Sequence, residues 1–217
     1  MADSSAQRIV QAGRQAMIGG YTVPETARLI RQATEACRPQ AEAIARTFLL
    51  SASNHAREQA VEALAGDMDF SWRYLATLDG RTCQICGVDD KKIFKRDEPR
   101  PSLPRHINCR CVYVPKMPTW RELGADVDDL DGPARAATKE SSRTVHHRDG
   151  STSTKFTVED VEFTTESYSE WISRQVHDDP DFARQVLGKT RFELLKNGKI
   201  TLSKMVVDGR IKKLAEL

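Results

Sequence analysis

The amino-acid sequence predicts an α+β fold in which mainly helical N- and C-terminal parts flank a small cysteine/histidine-stapled unit with short β-strands. Three observations lead there. Apolar residues recur at helical spacing through the first 65 positions. Between Phe70 and Pro118 the texture turns to short β-like runs, turn residues and closely spaced cysteines. Helix-start signals return after Ser167. The parts divide as a helical region over 1–66, the cysteine/histidine unit over 67–120, a polar connection over 121–153, and short strands followed by helices over 154–217.

The first helix carries Ile9, Val10, Ala12, Ala16 and Met17 near one face until Gly19-Gly20 stops it. Thr22-Val23-Pro24-Glu25 starts the second, with proline in the first turn where its missing N–H costs nothing, and Ala27, Leu29, Ile30 and Ala33 continue it to about Cys37. The longest helix is expected over Pro39 to Ala65, closed by Gly66. Cys37 reads as a small packed hydrophobe and His55 as an ordinary helix histidine.

Trp72, Tyr74 and Ala76 alternate as a short strand would, Asp79-Gly80 marks a turn, and Ile93-Phe94 and Val112-Tyr113-Val114 are further strand material. From Gly124 to about Ser153, acids, Ser/Thr and His146-His147 read as a flexible connection, with a hairpin turn at Asp149-Gly150. Lys155 to Val158 and Val161 to Phe163 are β-like. Ser167 with Glu170 fits a capping box, Asp179-Pro180 a second helix start, and Asn197-Gly198 the stop of a helix over Thr190 to Lys196.

A net charge of +2 is too small to indicate a polyanion binder by itself. Locally, Arg81 to Lys116 holds nine Lys/Arg against four acids, so Lys91, Lys92, Lys95 and Arg96 are the residues that would meet phosphate if packaged DNA is contacted. No run of eighteen or more apolar residues offers a membrane span. The chain is therefore expected to be made in a reducing cytosol, where close cysteines are more often metal ligands than disulfides.

Cys83-x2-Cys86 lets a tight turn aim two thiolates at one ion, and His106-x2-Cys109 supplies a second pair after nineteen intervening residues. Zinc takes such borderline-soft donors in a closed tetrahedron. The expected metal ligands are Cys83, Cys86, His106 and Cys109, with Cys111 as the substitute. Disulfides or packed thiols are the alternative, and a redox or nucleophilic role is a third reading. No base stands out among Asp89, Asp90, Asp97 and Glu98, so no catalytic residue is assigned and the chain is expected not to be an enzyme.

The run Trp72-Arg73-Tyr74-Leu75-Ala76-Thr77-Leu78-Asp79-Gly80-Arg81-Thr82-Cys83-x2-Cys86, then Lys92-Ile93-Phe94, then Pro104-Arg105-His106-Ile107-Asn108-Cys109-Arg110-Cys111, resembles the phage Mu F-like minor head proteins of tailed bacteriophages. Ala45-Arg46-Thr47 upstream is similar to the same family, as are Tyr168-x2-Trp171, Leu187 to Arg191 and Asn197 to Ile200 downstream, so that the likeness covers roughly residues 40 to 217. The resemblance implies a virion structural protein, present at low copy in the phage head and in the host cytoplasm during assembly, associated with the portal or major capsid protein and in some relatives with packaged DNA. The competing reading is a zinc-dependent nucleic-acid-binding protein or nuclease.

Overall fold

Recurring alanine and aliphatic side chains build three helices at the start of the chain, α1 (Ala2–Ile18), α2 (Val23–Ala33) and α3 (Arg38–Ala65), in a computed structural model that describes residues 2–128 and 134–217. At Thr22, which opens α2, the backbone N–H and the hydroxyl both donate to the Glu25 carboxylate, at 2.8 and 2.6 Å. The helix stops at Ala33, short of the predicted end near Cys37. There Thr34 turns extended and its hydroxyl bonds back to the Ile30 carbonyl at 2.7 Å.

The three helices share a small-residue core that includes Ala12, Ala27, Ile30, Ala41 and Ala45. So close is the approach of α1 to α3 that a Cβ on Gly13 would lie 2.5 Å from the Phe48 ring. The segments Pro101–Arg110 and Ser142–Phe156 belong to the same unit. Asn108 ties the first of them to α3: its N–H donates to Thr47 Oγ1 at 3.0 Å, and Arg46 Nε donates to its Oδ1 at 3.1 Å. Its φ of 62° is in the left-handed region, which asparagine tolerates better than most residues.

A second unit gathers Ala65–Arg100, Cys111–Ser141 and Thr157–Leu217. It opens with β1 (Ser71–Leu75), β2 (Leu78–Asp79), the short helix α4 (Gln84–Asp89), β3 (Ile93–Lys95) and, after the 101–110 segment, β4 (Val112–Lys116). β1 is the central strand of an antiparallel sheet ordered β3-β1-β4, with Trp72 opposite Phe94 and Pro115, and Tyr74 opposite Tyr113. The two-residue period of the strand puts Trp72 and Tyr74 on one face, and both are fully buried. Edge-to-face ring contacts join Trp72 and Tyr74 to Tyr113, and the Arg100 guanidinium lies 4.8 Å from the Trp72 ring centre.

Two long strands follow, β5 (Arg135–His146) and β6 (Thr152–Thr164), and β5 pairs in parallel with β2 to give the order β2-β5-β6. Here the structure differs from the sequence reading. Residues 135–146 form a strand where polar composition predicts a connection, because most of β5 and β6 is exposed and so shows none of the apolar alternation that marks a half-buried strand. Residues 129–133 of that predicted connection, with the acids Asp129 and Asp131, lie outside the described residues. The turn at Asp149-Gly150 is where the sequence puts it, with Gly150 at φ 78°. His146 ends β5, and His147 Nε2 lies 2.8 Å from Ser153 Oγ.

The chain then turns into α5 (Tyr168–Asp178), α6 (Pro180–Leu187) and α7 (Lys189–Lys196), followed by the small hairpin β7 (Val206–Val207) and β8 (Arg210–Ile211). The Ser167 N–H and hydroxyl both donate to the Glu170 carboxylate at 2.7 Å, the predicted capping box. Trp171, Ile172, Val176, Phe192 and Leu202 close the core of this unit together with Leu78. The architecture is the α+β class that the sequence predicts.

Arg174 on α5 draws in Glu162 and Glu166 through charge-assisted hydrogen bonds, and Trp171 Nε1 donates to Glu162 at 2.7 Å. The Arg174 hydrogen bonds hold both carboxyls below the ordinary glutamate range. As pH falls, the unfolded chain therefore takes up these protons first. The stabilisation is complete above the unfolded value of about 4.3 and is lost as pH descends through the lowered folded value. Denaturant melts across this acid range should show stability falling with pH, and Arg174→Leu should flatten that dependence.

Candidate metal centre

The segment leading into the first cysteine pair is fixed by a buried carboxylate. Asp79 Oδ1 accepts from the backbone N–H groups of Arg81 and Thr82, both at 3.0 Å, so the turn after β2 is closed from inside. The Thr82 hydroxyl donates to the Thr77 carbonyl at 2.6 Å, and Arg81 Nη2 donates to the buried Glu140 of β5 at 2.7 Å. Cys83 emerges from this turn as the N-cap of α4, its Sγ accepting from the Cys86 N–H at 3.4 Å. Cys83 is half-buried and Cys86 buried.

A second carboxylate closes the helix. Asp90, the C-cap of α4, is fully buried and has both oxygens occupied. Oδ1 accepts from the Ala76 N–H and from Arg135 Nη1, each at 2.8 Å. Oδ2 accepts from the Tyr168 N–H at 2.7 Å and from Arg135 Nη2. The same guanidinium also donates to the carbonyls of Ala76 at 2.9 Å and Glu166 at 3.0 Å. Between its ends, α4 lies against α5 so closely that a Cβ on Gly87 would fall 2.2 Å from the Tyr168 ring.

The ligating atoms of Cys83, Cys86 and His106 all lie within 4.8 Å of one another, and so do those of Cys86, Cys109 and Cys111. Cys86 is common to both groups, and neither holds the whole expected set Cys83, Cys86, His106 and Cys109. Cys111, the expected substitute, is buried and stands in the all-cysteine group. None of the five cysteines, all of them among the described residues, is in a disulfide. His106 is exposed, and its Nδ1 lies 2.9 Å from the Ile107 carbonyl, an arrangement that leaves Nε2 to bind a metal when Nδ1 carries the proton.

Thiols with an imidazole are soft donors of the kind that zinc takes, and each group of three lies close enough together that it could bind a metal ion. When bound, an ion would supply no reaction step; the residues that would hold it come from Cys83, Cys86, His106, Cys109 and Cys111. Tyr74 packs beside the cluster. Burial first, and then the adjacent Cys111 and Cys86 thiols, push its phenol far above the ordinary range, so the hydroxyl stays protonated.

Three of the four basic residues singled out for phosphate are engaged within the chain. Lys91 Nζ donates to the Thr165 carbonyl, Lys92 pairs with Asp89, and Arg96 donates to the Gly66 carbonyl at 2.9 Å while lying over the Phe70 ring. Sequence reasoning passed over Asp90 as one generic acid among several, and placed Arg135 in a connection. No spacing rule links positions so far apart. Asp79 was visible, but only as half of a turn signal, and Tyr74 only as a strand residue.

Residues 7–114 match the family described as Phage Mu protein F like protein. The matched span runs from within α1 through the Cys83 pair and the Cys111 segment into β4. It starts earlier than the likeness read from residue 40 and does not include the C-terminal helices. No curated protein and no solved structure matches the chain.

Removing one partner of a buried, fully bonded ion pair costs on the order of 3–5 kcal/mol. Asp90→Ala should lose stability of this size in urea titrations of the full chain. Lys92→Ala, which removes a half-exposed partner of Asp89, should change it by no more than about 0.5 kcal/mol.

Proposed function

We propose, from its match to the phage Mu protein F-like family, that the chain is a phage head morphogenesis protein and specifically a minor head protein of a tailed bacteriophage. In this reading it is a non-enzymatic part of the virion, joined to the portal or the inner face of the capsid, and its cysteine/histidine cluster holds a structural zinc. The observation that carries the reading is the family match, which takes in both the N-terminal helices and the cysteine segments.

Two features of the surface support it. Strand β6 is an edge of its sheet among the described residues and exposes Val158, Val161 and Phe163, the kind of apolar surface that a partner protein covers. Lys91, Lys92 and Arg96 spend their hydrogen bonds on the chain's own carbonyls and on Asp89. That weighs toward protein contacts and against the zinc-dependent nucleic-acid-binding or nuclease alternative. It leaves Lys95 as the member of the basic group that would meet packaged DNA.

Quantitative mass spectrometry of purified virions tests the role. The chain should be found at a few copies per particle, well below the major capsid protein. Its absence from intact particles would contradict the proposal.

A further inference from the structure

Tyr74 lies in the middle of β1, and no part of it reaches solvent. Its ring contributes to the aromatic core, 5.4 Å from the ring of Tyr113, a task phenylalanine would perform equally well. The hydroxyl is what needs a reason. It is buried with no partner that meets hydrogen-bond geometry, a condition that native proteins seldom keep.

The groups beside the hydroxyl are the thiols of Cys111 and Cys86. Strand register fixes this placement: Tyr74 pairs with Tyr113 on β4, and Cys111 immediately precedes that strand. A neutral thiol is a weak acceptor, whereas a metal-bound thiolate carries charge and accepts strongly. Cys86 and Cys111 both belong to the buried all-cysteine group.

We propose that Tyr74 is a positioning residue of the metal centre: its Oη donates to the Cys111 thiolate that forms when a metal displaces the thiol proton to solvent. Cys111 is thereby a metal ligand in its own right and not a spare thiol. This rests on the zinc reading of the cluster. It goes further by naming which sulfur is bound and which group outside the ligand set holds it.

The test uses the full chain prepared under reducing conditions and stripped of metal. Zinc is titrated against a competing chelator, and cobalt(II) is added in parallel because its sulfur-to-metal absorption reports the bound thiolates. Tyr74→Phe should weaken zinc binding about 10–100-fold, the usual effect of losing such an outer partner, while keeping the number of thiolates seen with cobalt. Metal-free Tyr74→Phe should melt no lower than metal-free wild type, since the substitution removes only an unpaired hydroxyl; a merely structural tyrosine would show no such split between the two states. Cys111→Ser should lose one thiolate's absorption, and adding Tyr74→Phe to it should cause no further loss of affinity. Wild type that binds zinc with Tyr74→Phe binding equally well would overturn the role of Tyr74 and leave the zinc site standing. Wild type that binds neither metal would overturn the zinc reading and this inference with it.

Discussion

The bond between Asp90 and Arg135 is the interaction on which the second unit depends. A carboxylate sealed from water is tolerable only when each oxygen is paired, and here four donors come from three places: the Ala76 N–H after β1, the Tyr168 N–H at the start of α5, and two nitrogens of a guanidinium at the start of β5. Asp90 also ends α4, the helix that carries Cys86 and is capped by Cys83. The cysteine helix is thus held at its C-terminal end by a buried ion pair and at its N-terminal end by the Asp79 turn. The thiols are aimed before any metal arrives, which lowers the ordering cost of binding one.

That preparation explains why so much polar side chain is buried around a six-residue helix. Asp79, Thr82, Gln84, Asp89 and Asp90 are all buried in or beside it. A helix this short has little stability of its own. Fixed hydrogen bonds and the close approach of Gly87 to Tyr168 set its position in place of a broad apolar face. The segment that carries His106 and Cys109 is fixed differently, by Asn108 on the hydroxyl of Thr47 and the guanidinium of Arg46. The Asn between His106 and Cys109 serves its backbone as much as its side chain, because it holds a positive φ that asparagine tolerates better than most residues.

What could be read from the sequence follows the range of the forces involved. The helices of the first unit, the capping box at Ser167 and the turn at Asp149-Gly150 are set by neighbours a few positions apart, and periodicity and capping rules find them. β5 escapes the sequence reading because its buried positions, Ala137 and Glu140, lie three apart and the rest of it is mostly polar and mostly exposed, so that no two-residue apolar alternation shows. The five residues that the cysteine spacing singles out are the ones that stand in the two groups of three, but the expected set of four is in neither. Cys86 standing in both groups, and Cys111 in the buried one, are products of where β4 begins relative to α4. The pairing of Asp90 with Arg135 and the stranded hydroxyl of Tyr74 are tertiary facts with no local signature.

A structural metal site in a phage head protein is what we propose for the cysteine/histidine cluster. The match to the phage Mu protein F-like family takes in the segments that carry all five of these residues, which stand in two groups of three and form no disulfide. The most direct test is the zinc content of the full chain purified under reducing conditions, measured by elemental analysis against protein concentration. One zinc per chain is the predicted result; protein that is folded, fully reduced and free of bound metal would contradict it.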